Sequence, residues 1–163
     1  EDRTAIVWNA ADGKPLHTLK GHDAEVRSVA LNEDGKWLVS GSWDQTAILW
    51  ETAGGTKVHA LKGHTAPVTS VAISADGKLI MTGSEDDTTR LWDAATGKER
   101  CRIYCLGGKD WVVCTPDGLF DASPGAMGDL MFRAPGNEKL LTDEETRRRQ
   151  HRPGVLMELW KAK

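Results

Sequence analysis

The chain is expected to fold as an all-β repeat protein, and three observations carry that expectation. First, Gly21-His22 recurs as Gly63-His64, an offset of 42 residues (64 − 22). Second, the same offset links Gly35 to Gly77, Asp44 to Asp86, Trp50 to Trp92 and Leu61 to Ile103, and it reaches back to Asp2 and Trp8. Third, the residues between these marks form short apolar runs bounded by Asp-Gly or polar turns, which is the pattern of strands joined by hairpins.

Taken in order, residues 4–8 and 15–19 read as two strands around the turn Ala11-Asp12-Gly13, with Asp2 just before the first. Residues 26–61 then form a complete unit. Val26, Val29 and Leu31 lie on its first strand, Leu38 and Val39 on its second, and Ile48 and Trp50 on its third. Asp34-Gly35 and Ala53-Gly54-Gly55 close its hairpins. Residues 68–103 repeat the unit, with Asp76-Gly77 and Ala95-Thr96-Gly97 at the same turns. A repeat of this length with a Gly-His opening and a Trp-ending strand is the signature of a four-stranded propeller blade. Such a unit has a face too apolar to leave in water, so it must stack on its neighbours.

These residues resemble the WD-repeat β-propeller family, and the resemblance covers residues 1–103. It implies an all-β, partial WD-repeat β-propeller: two full blades, a half blade and a degenerate blade, followed by a short helical tail. Each full unit also carries His22, Ser40, Asp44 and Trp50, or His64, Thr82, Asp86 and Trp92. A histidine, a hydroxyl and an aspartate invite the reading of a hydrolytic triad. The family resemblance implies instead a structural tetrad, one buried chain of hydrogen bonds. The set occurs twice, exchanges Ser for Thr, and ends each time in a tryptophan that a triad does not need, all of which favours the tetrad.

The first unit lacks the histidine and hydroxyl that should precede Asp2, so only its last two strands are expected. Two and a half blades do not close a ring, since propellers take roughly four to eight. The expectation is a fragment whose remaining blades come from the same longer chain. After Cys101 the repeat decays: Leu106 stands where the next histidine should be, and Pro124-Gly125 interrupts the second strand after Asp117-Gly118. The run WVVCTPDGLFDASPG resembles the segment that closes the propeller in some bacterial multidomain WD-repeat proteins, several of which carry a caspase-like peptidase domain elsewhere. The division expected is 1–106 for the blades, 107–137 for the degenerate closing segment, and 138–163 for a helical tail or linker. In that tail Thr142-x-x-Glu145 reads as a capping box, and Asp143/Arg147, Glu144/Arg148 and Glu145/Arg149 as i,i+4 ion pairs on a solvated face. Val155, Leu156, Leu159 and Trp160 share a face of a second helix.

The formal charge of −3 over 163 residues gives no general attraction to nucleic acid or anionic lipid, and no apolar run reaches membrane-spanning length. Three cysteines, Cys101, Cys105 and Cys114, make an odd count without metal-ligand spacing, which points to a reducing compartment and a cytoplasmic location. No cofactor, metal or catalytic group is expected, and the partner is a protein or peptide. By the family's pattern partners meet the loops of the top face. Those positions are Glu25, Arg27 and Trp43 on the first full blade, Pro67, Thr69 and Glu85 on the second, and Glu1 on the half blade. Trp43 stands out because its counterpart is Glu85, so the fold itself does not ask for an aromatic there.

Overall fold

The computed structural model describes residues 2–129 and 151–161. Among them are twelve strands and two short helices, and the chain divides into two compact units, residues 1–99 and 100–163. In the first unit β1 (Thr4–Trp8) and β2 (Pro15–Lys20) form an antiparallel pair. The next four strands, β3 (Val26–Leu31), β4 (Trp37–Ser42), β5 (Thr46–Glu51) and β6 (Thr56–Lys62), form a four-stranded meander in sequence order. β7 (Val68–Ile73), β8 (Leu79–Ser84) and β9 (Thr88–Asp93) repeat β3, β4 and β5, down to the same register shift at the first strand: between Val26 and Ser28 in one sheet, between Val68 and Ser70 in the next. β10 (Glu99–Leu106) follows, mostly in the second unit.

Two apolar layers hold the first unit together. Leu19, with Ala5 and Val7 of the half blade, packs on Leu38, Ile48 and Trp50. Val39, Ala47, Leu49 and Leu61, from the opposite face of that sheet, pack on Ile80, Trp92, Ala94, Val71 and Ile73. The alternation of strand side chains explains both layers, because neighbours such as Leu38 and Val39 must point to opposite faces. The β3–β6 sheet is therefore packed on both faces, and fully burying one such side chain stabilises by about 1.5–3 kcal/mol.

The degenerate segment takes the form of two strands running on from β10. β11 (Asp110–Cys114) pairs with β10 across Gly107 and Gly108, whose φ angles of 60° and 87° suit a tight hairpin, and β12 (Phe120–Ala122) pairs with β11. Pro124-Gly125 then opens α1 (Pro124–Asp129). α2 (Val155–Lys161) sits near β12: Arg152 N–H donates to the Phe120 carbonyl at 2.7 Å, and Gly154 N–H to Asp121 Oδ2 at 2.6 Å. Val155 is buried and Leu156 and Leu159 are half-buried, but Trp160 is exposed, so the apolar face stops short of it. The Thr142 capping box and the three i,i+4 pairs lie outside the described residues, as does Glu1.

Candidate functional site

The two tetrads are superimposable in their bonding. In the first, the Trp50 indole N–H donates to Ser40 Oγ at 2.8 Å, Ser40 Oγ lies 2.8 Å from His22 Nε2, and His22 Nδ1 lies 2.8 Å from Asp44 Oδ2. In the second the same distances are 2.9, 2.7 and 2.8 Å through Trp92, Thr82, His64 and Asp86. An indole only donates and a carboxylate only accepts, so the chain runs one way: indole to hydroxyl, hydroxyl to imidazole, imidazole to carboxylate. Each aspartate is bound further by a loop N–H, from Asp23 or Thr65, and by the hydroxyl of Thr46 or Thr88.

Burial penalises the charged form of Asp86, but the Thr88 hydroxyl, the Thr65 N–H and His64 outweigh it and hold the carboxyl at about 2. Asp44 is lowered in the same way, with Thr46, the Asp23 N–H and His22 overcoming burial. Burial also lowers the pKa of His64, although Asp86 opposes it, so His64 is a neutral donor to Asp86 at neutral pH. Ser40 and Thr82, the hydroxyls that a triad would use as nucleophiles, are fully buried and already accept an indole N–H. The constellation is built to fix the sheets and offers its hydroxyls to no substrate.

The loops at the start of β3 and before Asp44 meet as the sequence suggests. Trp43 N–H donates to the Glu25 carbonyl at 3.0 Å, and the Arg27 guanidinium lies 4.6 Å from the centre of the Trp43 ring, a cation–π contact. Trp43 remains 44 % exposed. On the next blade Glu85 N–H donates to the Pro67 carbonyl at 3.0 Å and Thr69 Oγ1 to the Gly83 carbonyl at 3.4 Å. The backbone frame thus repeats while the side chains do not, and only the first blade carries an aromatic.

Sequence reasoning missed three sets of residues. His17 Nε2 donates to the Ala53 carbonyl at 2.8 Å, and His59 Nε2 to the Ala95 carbonyl at 3.0 Å, so an outer strand of each sheet grips the last hairpin of the next. Arg90, standing where the previous repeat has Ile48, is buried; it donates to Glu99 Oε2 and to the Gly63 carbonyl, both at 2.6 Å. Asp121 accepts from the Ala122 and Gly154 N–H groups and lies 3.5 Å from His151 Nε2. The 42-residue spacing of His17 and His59, and the exchange of Lys57 for Glu99 beside that of Ile48 for Arg90, were visible signals for the first two. Cys101 and Cys114 are buried and Cys105 is exposed, and burial pushes the Cys114 thiol up to about 12. No group of three or more His, Cys, Asp or Glu fit to hold a metal exists among the described residues, and no described helix is long and apolar enough to cross a membrane.

Comparison with known proteins agrees with this architecture. Residues 13–51 and 55–93 match the WD40 family, "WD domain, G-beta repeat". The chain is similar to the guanine nucleotide-binding protein subunit beta of Schizosaccharomyces pombe, 41 % identical over 44 residues, which are 27 % of this chain and 14 % of that protein. It is similar as well to the small ribosomal subunit protein RACK1 of Dictyostelium discoideum, 39 % identical over 49 residues, 26 % of this chain and 15 % of that one. The solved structure of U3-55K superposes with a TM-score of 0.59 at 22 % identity, covering 74 % of this chain and 42 % of that chain. The chain therefore spans well under half of the relatives that it matches. The fold is that of WD-repeat propeller blades, and these relatives are eukaryotic proteins.

Proposed function

We propose that this chain is part of a larger WD-repeat propeller that serves as a non-catalytic platform for a protein or peptide, with the top-face loops of its first full blade as the docking surface. The observation that carries the reading is the exposed Trp43 under the Arg27 guanidinium, at a position where the repeated fold accepts Glu85 just as well. Exposed tryptophan and arginine are the usual anchors of protein interfaces, and truncating one commonly costs about 2 kcal/mol or more. Glu25 beside them, and Pro67, Thr69 and Glu85 on the next blade, extend the surface. In this reading the remaining blades belong to the same longer chain. The similarity to proteins named as subunits of larger assemblies supports it. Trp43→Ala is expected to weaken a captured partner at least tenfold and to leave the melting curve nearly unchanged. A large fall in melting temperature with intact binding would make Trp43 a packing residue.

A second reading rests on the run WVVCTPDGLFDASPG, which forms β11, β12 and the turn into α1. In it the propeller is the sensing or regulatory arm of a bacterial caspase-like peptidase whose catalytic domain lies outside this chain. The reading frame of the parent gene decides between them: a His/Cys-bearing peptidase domain supports the second, and its absence removes it.

A further inference from the structure

Charge is paired differently at the two ends of the first unit. At the end built from the Asp-Gly hairpins each aspartate has its own lysine: Asp12 with Lys14 at 3.7 Å, Asp34 with Lys36 at 3.1 Å and Asp76 with Lys78 at 3.7 Å. The opposite end, around Trp43, carries Asp23, Glu25, Glu85 and Asp87, and none of these makes an ion pair among the described residues. The cation nearest to them in the sequence, Arg27, is held over the indole of Trp43, 4.6 Å from its centre. Lys62 closes β6 at this end, but β6 is the sheet edge farthest from β3.

The two full repeats meet closely at that end. A Cβ on Gly41 would lie 2.7 Å from Val68 Cγ1, so the start of β7 runs against the end of β4. Val71 N–H donates to Ser28 Oγ at 3.2 Å, which ties the first strands of the two repeats together. Pro67, next to Val68, therefore stands beside the turn that carries Trp43, and Glu85 N–H on the Pro67 carbonyl sets Glu85 just beyond it. A chain laid across both repeats meets an indole, then a proline ring, then a carboxylate. Asp44 and Asp86, kept ionised by the hydrogen bonds they accept, add negative charge beneath the same turns.

We propose that the segment docking on this surface is a cationic peptide. One apolar side chain lies on Trp43 and Pro67, a lysine or arginine close to it in sequence reaches Glu85, and Glu25 is open to a second. The proposal rests on the platform reading above and adds the chemistry of its occupant. Complementary charge speeds encounter and fixes register on such a surface. Arg27 does not reverse the preference, because one guanidinium lying on an indole stands against the carboxylates of Asp23, Glu25, Glu85 and Asp87. A nucleic acid or a phosphorylated segment would bring its own negative charge against those carboxylates, so the surface selects against both.

The test selects displayed random peptides on the full chain and makes the dominant sequence as a labelled synthetic peptide. That peptide is expected to carry net positive charge beside an apolar residue. Its binding should weaken roughly tenfold or more with Trp43→Ala, about fivefold or more with Glu85→Lys, and several-fold when salt is raised well above physiological strength. Glu33→Lys makes the same change of charge at an exposed position of the β3–β4 hairpin, at the other end of the sheet, and is expected to leave binding unchanged. Melting curves establish that each variant is folded, and Glu85→Gln, which removes the charge without reversing it, should give a smaller loss in the same direction. A selected peptide that is neutral or acidic, yet is lost with Trp43→Ala, leaves the platform standing and overturns the cationic occupant. Binding that ignores Trp43→Ala overturns both. Equal losses with Glu33→Lys and Glu85→Lys, or a selection that yields no binding peptide, also overturn the proposal.

Discussion

At the scale of the residue, the tetrads convert side-chain identity into acid sensitivity. Asp86 titrates at about 2 against an ordinary 3.8, and its folded form therefore binds the proton less readily than its unfolded form. The stability this confers is complete above about pH 4 and disappears as pH falls toward 2, on the order of 2 kcal/mol in all. His64, lowered by burial from 6.5, acts in the same direction but earlier, since the unfolded chain takes up a proton that the folded one resists. Urea unfolding across pH 7 to 2 is expected to show a gradual loss below about 6.5 and a steeper one below about 4. Asp86→Asn should flatten the steeper limb while lowering stability at neutral pH; an unchanged limb would show that Asp86 is not the titrating group. The tetrads were legible in the sequence because every member is a particular residue type at a fixed offset. His17 and His59 were legible only by half: both recur at 42, but their partners are the carbonyls of Ala53 and Ala95, and a backbone carbonyl leaves no mark in a sequence.

At the scale of the element, those two histidines clamp hairpins, and the clamp needs glycine. Gly55 and Gly97 have φ of 65° and 67°, and a Cβ on either would lie 2.9 Å from Cγ of His17 or His59. Gly35 has φ 71° but open space around the same position. Gly35→Ala should therefore cost only the left-handed backbone conformation, about 1–2 kcal/mol. Gly97→Ala adds crowding against the ring, typically a further 1–3 kcal/mol, and His59→Ala in the same chain should return part of that increment. Equal losses at Gly35 and Gly97, measured by chemical denaturation, would dismiss the clamp. The repeat also shows where it stops: the position 42 beyond His59 is Cys101. The second unit was the least legible element. Strand β12 and helix α2 are joined through Asp121, Phe120, Arg152 and Gly154, whose pairing follows no period in the sequence.

At the scale of the whole molecule, what was readable is what repeats. Strand order, hairpin positions and tetrad geometry follow from one 42-residue pattern, and the departures are single substitutions within it, such as Arg90 for Ile48 and Trp43 against Glu85. The first is absorbed by Glu99 and the Gly63 carbonyl inside the fold; the second faces outward, where the fold makes no demand. The contrast separates a difference answered by partners inside the fold from one turned toward solvent.

The unit that the family matches delimit and the unit built in space are out of phase. Each WD40 match, 13–51 and 55–93, takes the last strand of one sheet and the first three of the next, so the covalent joint falls at residues 52–54, inside the β5–β6 hairpin. A protease that nicks this hairpin severs two sequence repeats, yet the ladder from Thr46↔Lys62 to Glu51↔Thr56 still ties the pieces edge to edge. A nick in the linker at residues 63–67 instead leaves the pieces joined only by side-chain packing and a few bridging hydrogen bonds. Chains cleaved at Gly54 should therefore elute as one body and part only in denaturant, whereas chains cleaved at Thr65 should part at lower denaturant. Each family match is dovetailed into its neighbour, and the weaker of these two joints lies between β6 and β7, inside the second match rather than at its edge.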